Sequence, residues 1–153
     1  AVDIISSDHS PHPFSKKTEA EHDFWKVAEG CTGIQTMLPV VLTEGRKRGL
    51  SWQRLVQLMA ERPAELFGLS HRKGALSPGM DGDVVLLDPE KEWVLEEKDL
   101  QHLVKQSPFT GRTFRGRVVK TYVRGELVYD GGAAERIVNA PGWGRFCPME
   151  VRP

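Results

Sequence analysis

Val2-Asp3-Ile4-Ile5-Ser6-Ser7-Asp8-His9-Ser10-Pro11-His12 opens the chain with a short, mostly apolar run that ends in an acid and two histidines. Residues 2–7 lack the strict alternation of a half-buried strand, which is how a strand reads when both faces of a parallel sheet are covered. Asp8 then stands at the carboxyl end of the strand, where α/β folds, barrels above all, place reactive groups. A carboxylate there can bind a metal or act as a general base, and His12 can orient a substrate. Asp and His in a loop punctuated by Pro11 and Pro13 also serve as plain turn residues, so the cluster alone does not decide between the two. Ala1 leads straight into this run without an initiator Met, which reads as the middle of a fold and predicts the C-terminal part of a longer protein.

Outward from this strand the periodicity turns helical. Ile34, Met37, Leu38, Val41 and Leu42 recur at helical spacing, with Pro39 near enough to the start to be tolerated. Ser51 is placed as the N-cap of a second helix whose Trp52, Leu55, Val56 and Met59 read as a core-facing stripe. Pro63 opens a third, Pro63-Ala64-Glu65-Leu66-Phe67, which Gly68 can terminate. Beyond Ser70 the pattern becomes β. Asp83–Asp88 and Trp93–Leu95 read as strands, and Arg117–Arg124 with Glu126–Tyr129 as a hairpin turning at Arg124-Gly125. The Gly- and Pro-rich tail from Gly131 is expected on the surface.

The chain has 153 residues, 39% of them hydrophobic, which is enough to build a core without staples. Its 21 Lys+Arg balance 21 Asp+Glu, which argues against duplex nucleic acid or an anionic membrane as a bulk electrostatic partner. A small molecule or a protein is the expected partner. No apolar run approaches a membrane span and no signal-peptide pattern is visible, so a cytoplasmic location is expected.

Several features are bland on inspection. Asp81-Gly82-Asp83 begins like a calcium loop, but Val85 replaces the third ligand, so it reads as a turn. The six Lys/Arg between Leu100 and Gly125 read as a solvated face. Cys31 has no base placed beside it by the sequence and reads as a buried, inert thiol, while His22, His71 and His102 are scattered. With no H-x-H pair and no Cys cluster, most partners of Asp8 are expected outside this chain.

Ser7-Asp8-His9-Ser10-Pro11-His12 resembles the last barrel strand of the cyclic amidohydrolases, the group that includes allantoinase, dihydroorotase and hydantoinase. The resemblance continues through Gly30-Cys31-Thr32-Gly33-Ile34-Gln35, Arg62–Leu69 and Gly74–Asp83, in the family's order, as far as Tyr129. Ser107–Arg112 and Arg117–Gly125 are most similar to the allantoinase branch, whereas His12 stands where that branch usually carries Cys and matches the dihydroorotase pattern.

The resemblance implies an α/β fold: the C-terminal part of an amidohydrolase (β/α)8 barrel plus a small composite β-sandwich. Residues 1–69 would supply the last strand and closing helices, and residues 70–153 the C-terminal share of the sandwich. It also implies two divalent metal ions, zinc above cobalt, manganese or nickel, held by an H-x-H pair, a carboxylated Lys, two further His and the Asp matching Asp8. Asp8 would be metal ligand and catalytic base. His12 would face the substrate, and main-chain groups of Glu29, Gly30 and Cys31 would hydrogen-bond its imide edge. The implied substrate is a cyclic amide or ureide, allantoin first, with dihydroorotate or a hydantoin as alternatives. A non-catalytic relative that keeps the barrel as a scaffold is a further alternative. The implied partners are the remaining barrel portion and further copies in a homo-oligomer.

Overall fold

A computed structural model describes residues 2–19 and 22–150. The chain divides into two compact units, each assembled from separate segments: residues 1–5, 50–90 and 116–153 in one, 6–49 and 91–115 in the other.

In the first unit a helical stretch runs as α3 (Trp52–Val56), a π-turn (Gln57–Glu61) and α4 (Arg62–Leu66). Ser51 starts it as expected, its hydroxyl accepting the Arg54 N–H at 3.1 Å. Pro63 does not open a separate helix, because the π-turn before it absorbs the ring and the missing N–H. The Leu58 carbonyl in that turn instead accepts the Ile5 N–H at 3.0 Å. Gly68 and Leu69 end the helix by donating to Glu65 and Ala64 at 3.2 and 2.7 Å, the paired bonds of a Schellman stop. The expected stripe is only partly interior. Leu55 and Leu58 are buried, whereas Trp52 and Val56 on the adjoining face are 39% and 51% exposed.

Residues 2–7 form no strand. A β-ladder needs a second strand to receive its hydrogen bonds, and among the described residues none runs beside this segment, so the apolar run has no regular structure, with Val2 62% exposed.

The sheet has the order β1-β2-β3: β1 (Val84–Val94), β2 (Thr113–Val123) and β3 (Glu126–Asp130). The two short strands expected at Asp83–Asp88 and Trp93–Leu95 are one, since Pro89 is tolerated in an edge strand. β2 and β3 pair antiparallel across Arg124 and Gly125, both at positive φ (53° and 80°), a conformation that fits the tight hairpin turn the sequence predicts. Thr121 faces Tyr129 and Tyr122 faces Leu127, leaving Val128 as a bulge. The turn tip docks on Gly82 and Asp83: Gly125 N–H donates to the Gly82 carbonyl at 2.9 Å, and Arg124 N–H to Asp83 Oδ1 at 2.8 Å. Lys73 pairs with both Asp81 (2.8 Å) and Asp83, and Arg72 grips Asp81 at 3.0 Å, so the chain's own cations occupy the calcium-like acids; the turn itself falls earlier, at Pro78-Gly79, and residues 81–83 are an irregular lead-in to β1.

The second unit contains α1 (Phe14–Thr18) and α2 (Ile34–Val40), the latter continued by a π-turn (Val41–Gly45) after Pro39. Its core is Leu95, Leu100 and Phe114, each fully buried, with Val40, Trp93 and Phe109 packed around them. Burying these apolar side chains is the main stabilising term available here, about 1.5–3 kcal/mol for each large side chain. Gln35 ties α2 to the segment after a short 3-10 turn (Glu97–Asp99), donating to the Asp99 carbonyl at 2.7 Å and accepting from Gln101 N–H at 2.8 Å. Among the described residues no helix is long and apolar enough to cross a membrane.

Candidate functional site

Two loops of the second unit, residues 6–12 and 28–34, lie against each other. His9 forms an isolated parallel bridge with Cys31, and Ser10 N–H donates to the Cys31 carbonyl at 2.9 Å. At two positions of the second loop the approach is too close for any side chain. A Cβ on Gly30 (φ 89°) would fall 2.4 Å from Ser10 Cβ, and one on Gly33 2.5 Å from the Ser7 carbonyl oxygen. The glycines of Gly30-Cys31-Thr32-Gly33 are therefore what lets the loops close on each other.

Asp8 sits at the crest of the first loop with φ 44°, a left-handed conformation that Asp tolerates better than most residues. Its side chain is exposed, and among the described residues it has no hydrogen-bond or ion-pair partner. His12 is half-buried, with Nε2 3.3 Å from Ser10 Oγ. The His12 carbonyl accepts Gln106 Nε2 at 2.7 Å, while Thr32 Oγ1 donates to the Gln106 carbonyl at 2.7 Å, so one glutamine strings the two loops together. Lys17 Nζ, from α1, donates to the carbonyls of Ala28 (3.0 Å) and Gly30 (2.7 Å). Glu29 is exposed, and so is Cys31, contrary to the expectation of a buried thiol: the bridge to His9 uses its backbone and leaves its side chain outside.

The structure thus gathers Asp8, His12, Glu29, Gly30 and Cys31 on two neighbouring loops. Sequence reasoning missed what supports them. His9 Nδ1 accepts the N–H groups of Gly33 (3.0 Å) and Ile34 (3.3 Å), and the His102 ring lies 6.0 Å away, edge-on, with a buried Nδ1 that has no hydrogen-bond partner among the described residues. His9 was visible beside Asp8. Lys17, Thr32, His102 and Gln106 carry no local signal, because their partners are distant in sequence.

Among the described residues no three His, Cys, Asp or Glu side chains converge as a metal-binding group. An exposed carboxylate without a protein partner fits one ligand position. The rest of the centre that the resemblance implies is not supplied by these residues.

Residues 4–128 match the amidohydrolase family. An allantoinase of Rubrobacter xylanophilus is 43% identical over 99% of this chain and 31% of its own length. An L-hydantoinase of Paenarthrobacter aurescens is 38% identical over 95% of this chain and 31% of its own. Among solved structures, the L-hydantoinase (dihydropyrimidinase) of Arthrobacter aurescens superposes with a TM-score of 0.81 at 40% identity, covering 89% of this chain and 30% of that one. The dihydropyrimidinase of Brevibacillus agri gives 0.88 at 29% identity, covering 99% and 33%. The chain spans about a third of the length of the curated relatives it matches. Matched over most of its residues by the family and along nearly its whole length by these relatives, the chain belongs to the amidohydrolase family.

Proposed function

We propose that this chain is the C-terminal portion of a metal-dependent cyclic amidohydrolase that opens the ring amide of allantoin to give allantoate, a step of purine breakdown. One observation carries the reading above the others: Asp8 presents an exposed carboxylate at positive φ, on a loop locked to its neighbour through Ser7, His9 and Ser10. The 43% identity to an allantoinase supports the choice of substrate.

In this reading residues 1–69 close a (β/α)8 barrel and residues 70–153 contribute to a small β-sandwich. Asp8 is one ligand of a divalent metal centre, zinc by preference, whose other ligands lie outside these 153 residues; when bound, the metal supplies an activated water. The Asp8 carboxylate takes a proton from the attacking water as the new C–O bond forms at the ring carbonyl carbon. It then delivers that proton to the ring nitrogen as the C–N bond breaks, since an amide nitrogen leaves poorly unless protonated. His12, tethered through Ser10, faces the ring, and the main chain of Glu29–Cys31 meets the imide edge. The complete enzyme is a cytoplasmic homo-oligomer.

A second reading, hydantoinase or dihydroorotase, is favoured by His12 and by the 38% identity to an L-hydantoinase. The deciding experiment compares kcat/KM of the full-length protein, with metal content measured, on allantoin, dihydroorotate and hydantoin. Allantoin ranked first supports the main reading, and either of the others ranked first replaces it.

A further inference from the structure

We infer that His9 is the positioning residue of Asp8, acting through the lone pair on Nδ1; the inference rests on the catalytic reading of Asp8 above. Asp8 has no side-chain anchor of its own among the described residues, so its place is set by the backbone on either side of it. On one side Ser7 packs against Gly33, where no Cβ would fit. On the other, His9 is held twice. Its backbone bridges to Cys31, and its Nδ1 accepts two N–H groups, those of Gly33 and Ile34. A ring nitrogen that accepts two amides carries no hydrogen, so the ring hydrogen sits on Nε2.

Those two amides lie at the start of α2, where helical N–H groups lack partners within the helix, and Gly33 has no side chain to offer them. His9 satisfies them from the other loop. The same bonds fix the peptide immediately after Asp8, at the one non-glycine in either loop with a positive φ. A left-handed residue relaxes unless its surroundings hold it, and the His9 Nδ1 contacts are the polar side-chain restraint closest to it in sequence. Losing that acceptor lets the carboxylate shift relative to the reacting atoms, and a misplacement of about 1 Å can cost about 100-fold in rate.

Two variants of the full-length protein separate this role from ring packing. His9→Phe keeps a ring but has no acceptor. His9→Asn loses the ring, yet its Oδ1 lies the same number of bonds from the backbone as Nδ1 and can accept both amides. The expected result is a kcat lowered about 10- to 100-fold in His9→Phe with KM little changed, and restored to within about three-fold of wild type in His9→Asn. Amide hydrogen exchange at Gly33 and Ile34 is expected to speed up in His9→Phe and to stay slow in His9→Asn. The reverse order, with Phe active and Asn impaired, overturns the inference, as does normal kcat in His9→Phe with those two amides unprotected. If the metal-loaded wild type hydrolyses none of the three cyclic amides, the catalytic reading fails and the role of His9 fails with it. If the wild type is active and His9→Phe matches it, only the role of His9 is overturned.

Discussion

Asp8 and Asp81 are the same side chain put to opposite uses. Asp81 lies just ahead of β1, where Lys73 and the bidentate Arg72 surround it, and those hydrogen bonds hold its carboxyl below the usual range. Lys73 answers in kind. Burial alone would lower its pKa, but its bonds to Asp81 and Asp83 outweigh that and raise it. Asp8, by contrast, has its backbone clamped and its carboxylate left open. An acid whose charge is already compensated ties segments of the chain together and has little left to offer a reacting molecule. An acid held in place by its neighbours' backbone, with its own oxygens unspent, is free for chemistry.

The sharpest way to break this contrast is Asp8→Asn in the full-length protein. Asn keeps the size but cannot accept a proton, so kcat should fall roughly 10²- to 10⁴-fold, with a further loss if metal is released. Melting temperature should stay near wild type, because no contact of the Asp8 side chain holds the described structure together. Near-normal kcat at full metal occupancy would make Asp8 an ordinary turn residue after all.

Gly30→Ala tests the clamp rather than the acid. The new methyl would sit 2.4 Å from Ser10 Cβ at a backbone angle that disfavours any side chain, so the two loops must separate. We expect a stability loss of about 1–3 kcal/mol and a rate loss of about 10-fold or more, larger than the stability change alone would cause at assay temperature. Unchanged activity would mean that the closeness of the loops does not matter for catalysis.

The opposite pattern is expected of Asp81→Asn. Removing one charge from the Lys73–Arg72 cluster should lower the melting temperature while leaving kcat within about two-fold, as for a site with no partner in common with the reacting centre. A large fall in kcat with unchanged melting temperature would erase the distinction between the two aspartates.

What could be read in advance follows the range of the interactions. The Ser51 cap, the Gly68 stop and the Arg124-Gly125 hairpin are fixed by residues a few positions apart, and all were legible, whereas Asp81–Asp83 is held by Arg72, Lys73 and the distant hairpin tip and is not the turn the sequence suggests. The run at residues 2–7 reads as a strand and forms none here, because a strand is defined by a partner that no local pattern contains. The exposure of Trp52 and Val56 escaped for a related reason: periodicity finds an apolar face and cannot say what covers it. Asp8 stood out in the sequence because an acid at the end of an apolar run is unusual. The grip of His9, Thr32 and Gln106 on its surroundings did not, since each of those bonds joins segments far apart in the chain.

Glu44 sharpens the comparison from within the same unit as Asp8. It is a paired acid like Asp81: hydrogen bonds from Arg48 and then Arg112, with Lys47 nearby, lower its pKa from 4.5 to about 2. A carboxyl depressed in the folded state stabilises the fold above its unfolded pKa and loses that contribution as pH falls through the folded value. Stability measured by denaturant should therefore decline as pH drops from 4.5 towards about 2, and Glu44→Gln, which cannot titrate, should start lower and decline less steeply over that window. Asp81 shifts in the same direction and remains in the variant, so the difference between the two curves isolates Glu44. The group faces solvent, so added salt should shrink that difference, making this the smallest of the expected effects. Parallel curves for wild type and variant at low salt would show that the three cations around Glu44 contribute nothing to the fold, leaving it as unspent as Asp8.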